Sequence, residues 1–72
     1  MKTFKSKTGK EKKQLRLEQE GRDWTTTQWS KWKEDDWSKE HRSDQTWGTK
    51  DEMEQRLEEM SEELESLGWE KE

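Results

Sequence analysis

Residues 49–69 constrain this chain more than any other stretch. Met53, Leu57, Met60, Leu64 and Leu67 recur at intervals of four and three, the 3.5-residue period of a single apolar stripe on a helix. Thr49 stands where an N-cap belongs, and Glu52 three residues later completes the capping box Thr49-Lys50-Asp51-Glu52. Gly68 follows the stripe where a left-handed residue ends a helix, and Trp69 is placed to fold back on Leu64. The pattern predicts an acidic amphipathic helix over about 49–67. Glu62, Glu63 and Glu65 sit near its C-terminus, where the helix dipole favours cations, so the helix calls for a covering surface that is apolar and rimmed with bases.

What could cover it is limited. The chain has 72 residues, of which 21% are hydrophobic and 47% charged. The apolar set is Trp, Leu, Met and one Phe; Ala, Val, Ile, Pro, Tyr, Asn and Cys are absent. So few apolar side chains weigh against ordering the whole chain alone, and the lack of Val and Ile weighs against a sheet. The expected fold class is therefore all-α, small and partly disordered. It has a second, Trp-rich helix over about 26–42, capped by Thr25 with Gln28, and the two helices form a hairpin. The expected organisation is a basic, mostly disordered head over 1–22, then a helical segment over 23–72. In the head Leu15 and Leu17 are two residues apart, which places them on different sides of a helix.

Charge is segregated. Residues 1–16 carry seven bases and one acid, whereas residues 44–72 carry eleven acids and three bases, within a net charge of −4. With no cysteine and one histidine, His41, the chain offers no disulfide framework and no thiolate zinc site. The tail carboxylates lack the kinked loop of a calcium site. Neither a nucleophile motif nor a phosphate-binding loop is present, since Thr8-Gly9-Lys10 lacks the preceding loop. The expectation is a non-enzyme without metal, cofactor or small-molecule substrate. No stretch has the apolar run of a signal peptide or membrane span, so no membrane is expected and the expected location is intracellular, cytoplasmic or nuclear.

Three function classes remain. The leading one is a protein-interaction module, a small regulator or adaptor. It would dock on another protein or a second copy through Met53, Leu57, Met60, Leu64, Leu67 and Trp69, with Trp29, Trp32 and Trp37 as anchors, because Trp is enriched in binding hot spots. The second is a nucleic-acid-associated factor with a basic N-terminal arm and an acidic tail that recruits protein. It would use Lys5, Lys7, Lys10, Lys12, Lys13 and Arg16 on phosphates, and the interleaved run Trp29-Ser30-Lys31-Trp32-Lys33 resembles a base-stacking platform. The third is a coiled-coil protein that self-assembles through the 3.5-residue seam. Trp47-Gly48 and Gly68-Trp69 also resemble the dipeptides of Argonaute-binding segments, and Asp35-Asp36-Trp37 resembles the tryptophan-acidic peptides that bind kinesin light chains. Residues 44–72 resemble an acidic activation segment. These likenesses rest on a few residues each and carry no family function.

Overall fold

Two ten-residue strands dominate the computed structural model, which describes all 72 residues. In chain order the elements are β1 (Lys2–Lys5), β2 (Glu11–Glu20), β3 (Asp23–Trp32), β4 (Ser38–Lys39), β5 (Trp47–Gly48), α1 (Lys50–Ser66) and β6 (Glu70–Lys71). They form one antiparallel sheet in the order β4-β3-β2-β1-β6. The short β5 also pairs with β3, beside Trp24 and Thr25, while β4 covers the same edge beside Trp29 and Ser30. The protein is thus a mostly antiparallel sheet with one helix across one face, not an all-α chain.

The correction has a local cause. Residues 26–42 are not a helix; most of them lie in β3 and the connection through β4. Thr25-Thr26-Thr27 and the flanking tryptophans are good strand formers, so threonine and tryptophan do here what valine and isoleucine do elsewhere. Leu15 and Leu17, awkward on a helix, share one face of a strand. The head is not disordered: it supplies β1 and β2, the centre of the sheet. A two-residue turn at Gly21-Arg22 joins β2 to β3, with Gly21 at φ +62°. That angle at the first central position is the requirement of a type II′ hairpin turn, and it sets the long register from Glu11↔Trp32 to Glu20↔Asp23.

The tail helix is present with its expected ends. Thr49 Oγ1 accepts from the Glu52 amide, and Glu52 Oε1 accepts from the Thr49 amide at 3.2 Å. At the other end the Gly68 amide donates to the Glu65 carbonyl and the Trp69 amide to the Leu64 carbonyl, both at 3.0 Å, with Gly68 at φ +101°. Its stripe, however, does not await a helical partner. Met53, Leu57, Met60 and Leu64 are buried, and Leu57, Met60 and Leu64 form one core with Phe4 and Leu15 of the sheet, with Trp69 packed against it. No coiled-coil seam and no helical hairpin remains. Leu67 is the exception: it is the C-cap residue and 70% exposed.

Candidate functional site

Strand alternation sorts the sheet into two faces. Phe4, Lys13, Leu15, Leu17, Thr26 and Gln28 turn toward α1. Thr3, Lys5, Lys12, Gln14, Arg16, Thr27, Trp29 and Lys31 lie on the opposite face, joined there by Lys39, which registers with Trp29. No element covers this second face.

Its centre is a fixed network. Thr3 Oγ1 accepts from Gln14 Nε2 at 3.2 Å, and Gln14 Oε1 accepts from Arg16 Nε at 2.6 Å. The Arg16 guanidinium carbon then lies over Trp29, 4.1 Å from the ring centre. Trp29 in turn donates from Nε1 to Thr27 Oγ1 at 2.9 Å. Side chains from β1, β2 and β3 therefore hold one stacked cation–aromatic pair in place. Two more such pairs lie toward the end of the sheet that carries the β1–β2 turn: Lys31 is 5.4 Å from the Trp37 ring and Lys33 is 5.7 Å from the Trp32 ring. Lys33 holds a left-handed backbone, φ 52°, where its amide bonds the Lys10 carbonyl at 2.7 Å, tying the β3 end to that turn.

Charge pairing separates these cations from the rest. Lys5, Lys12 and Lys39 face Glu70, Glu72 and Glu18 at 4.0, 3.2 and 3.8 Å. Arg16, Lys31 and Lys33 have no carboxylate within salt-bridge distance. Each is held by a tryptophan ring instead, with its charge left available. Toward the Gly21 turn the same face becomes acidic at Glu18, Glu20 and Asp23.

The sequence-predicted residues are thus divided. Lys5, Lys12 and Arg16 reach the open face, and Lys7 and Lys10 sit in the turn at its end. Lys13 does not join them: it points to the helix side, bonded to Glu40 at 2.6 Å and 5.2 Å from the Trp69 ring. Trp29 and Trp37 belong to the open face, whereas Trp32, half exposed at 50%, terminates β3 on the opposite parity. Trp69 and, of the helix stripe, Met53, Leu57, Met60 and Leu64 are packed within the molecule, whereas Leu67 is exposed. Lys31 belongs to the Trp–Lys run read from sequence, whereas Thr3, Gln14 and Thr27 were not singled out; their common signal is the period of two through β1, β2 and β3. The WG and GW dipeptides both serve the backbone, as β5 and as the exit from α1.

A cleft of about 220 Å³ lies on the helix side, between α1 and the 40–46 connection. Its bases are already engaged: Asp44 takes Arg56 at 2.7 Å, and Arg42 Nε lies 3.2 Å from Asp44, though out of line for a hydrogen bond. His41 is exposed, and no group of three His, Cys, Asp or Glu side chains is arranged to hold a metal ion. No helix is long and apolar enough to cross a membrane.

No family model, curated protein or solved structure matches this chain. Its surfaces therefore carry the functional reading.

Proposed function

We propose that the protein is a binding module whose open sheet face takes single-stranded nucleic acid. The observation that carries this is the stack of Arg16 on Trp29, fixed from three strands and flanked on the same face by the uncompensated Lys31. An unpaired base has two flat faces, which stack on tryptophan rings or on the plane of a guanidinium, while lysines follow the phosphates. A sheet face with aromatic and cationic side chains in register offers both at once. The net charge of −4 does not oppose this, because α1 on the far side carries eight acids against two bases, which leaves the rest of the chain at +2.

The test is fluorescence anisotropy with a labelled oligothymidylate at several salt concentrations. Three to five neutralised phosphates give a slope of log K against log salt of roughly −2 to −3.5. Trp29→Ala and Arg16→Ala should each weaken binding on the order of tenfold, since stacking is worth roughly 1–3 kcal/mol per base. Absence of salt-dependent binding would end this reading. It would favour the protein-docking alternative, for which the half-exposed Trp32 and Trp47 are the anchors.

A further inference from the structure

The two broad surfaces of this molecule are opposite in charge. On α1 the side turned away from the buried stripe carries Asp51, Glu58, Glu62 and Glu65, about one carboxylate per ~5.4 Å turn, and the last turn holds no base. Lys2 meets Glu58, but Asp51, Glu62 and Glu65 have no base within salt-bridge distance. This is an unfavourable arrangement for a helix alone, because carboxylates crowd the negative end of its dipole. On the other side of the same sheet stand Arg16 and Lys31, which lack carboxylates. One copy thus carries unpaired acids on one side and unpaired bases on the other.

We infer that a second copy of this chain docks the acidic outer side of its α1 on the open sheet face of the first. The partner's carboxylates would meet Arg16 and Lys31 and relieve the charge at its own helix end. The contact joins unlike surfaces on opposite sides of the protomer. It is therefore head-to-tail and does not close at a dimer; copies add in series. It differs from pairing through Met53, Leu57, Met60 and Leu64, which are consumed in the core. Held by exposed charges rather than apolar area, the association is weak and dissolves in salt. Where the open face also takes nucleic acid, as proposed above, docking occupies the same face and limits access to it. That consequence rests on the nucleic-acid reading, but the docking does not and is measured without nucleic acid.

Sedimentation equilibrium of the full chain is the test. At low salt, about 20 mM, the average mass should rise with concentration beyond two copies. At about 300 mM, where the Debye length is below ~10 Å, it should return to one copy. The double variants Glu62→Lys/Glu65→Lys and Arg16→Glu/Lys31→Glu should each stay monomeric at low salt. Mixed in equal amounts they should associate again, because each then offers the surface the other lacks. Should one double variant fail to fold, the single changes Glu65→Lys and Lys31→Glu, both at solvent-accessible positions, serve the same mixing test. A monomer at every salt concentration would overturn the inference. So would a dimer indifferent to salt, or a mixture that fails to associate while the parent chain does.

Discussion

The two faces of this sheet are built from the same strands and hold together by different means. On the covered face Phe4 and Leu15 are fully buried beneath Leu57, Met60 and Leu64. Each such side chain gains roughly 1.5–3 kcal/mol from leaving water, and that face carries most of the stability. On the open face the order comes from polar contacts: Gln14, Thr25 and Thr27 are buried, Gln14 bonded to the Thr3 hydroxyl and the Arg16 guanidinium, Thr25 to the Thr46 carbonyl and Thr27 to the Trp29 indole, with no second helix or sheet over them. Polar contacts at a surface contribute little net energy and much geometry. One face keeps the chain folded, and the other keeps a few side chains in fixed positions.

The sharpest way to break that distinction is a charge beneath the helix. Leu57→Asp should abolish cooperative unfolding altogether, because it removes core volume and buries a carboxylate without a partner. Leu67→Asp, in the same periodic series but exposed, should change stability by no more than about 0.5 kcal/mol in urea titrations. Next in size, Phe4→Ala should cost about 3–5 kcal/mol. That is a large share of the roughly 4–11 kcal/mol expected for a chain of this length. Arg16→Ala on the open face should cost only about 1 kcal/mol while weakening oligonucleotide binding on the order of tenfold. A loss of stability as large as that of Phe4→Ala would mean the open face is a structural layer after all.

The smallest effect concerns the pair that ties β1 to α1. The hydrogen bond with Glu58 raises Lys2 above its ordinary 10.5, and the bond with Lys2 lowers Glu58 below its ordinary 4.5. A depressed carboxylate stabilises the fold above its unfolded value, and that contribution is lost as pH falls through the folded one. A raised lysine stabilises below 10.5, and its contribution is lost as pH climbs through the folded value. Stability should therefore sag slightly below about pH 4.5 and above about pH 10.5, and Glu58→Gln should remove both edges. Glu58 is exposed, so solvent screening keeps the effect small; it is read as the difference between two pH–stability profiles.

What was legible in the sequence follows from the range of the interactions. The helix was legible to its termini because Thr49, Glu52, Gly68 and the 3–4 spacing all act within a few residues. Its cover was not, because Phe4 and Leu15 reach it from more than forty residues away. The strands were hidden by their chemistry. A strand of Asp23-Trp-Thr-Thr-Thr-Gln-Trp-Ser-Lys-Trp32 lacks aliphatic alternation, and its period of two lies in polar and aromatic residues. Leu15 and Leu17 carried the same period but were set against a helical one. The candidate site was half visible: the Trp–Lys run 29–33 was apparent, but alternation splits it, placing Trp29 and Lys31 on the open face and Trp32 on the other parity. Arg16 and Gln14 join it only through the register of β2 with β3.

The central claim is that the uncovered face is the working one. Two-dimensional proton–nitrogen NMR during titration with an oligothymidylate tests it most directly, since the six indole groups sample both faces. The account predicts saturable shifts of the Trp29 and Trp37 indole signals and of the Arg16 Nε–H, with Trp24, Trp69 and the amides of Met53, Leu57 and Met60 unmoved. Shifts confined to Trp69 and the helix, or no saturable shift at low salt, would contradict it.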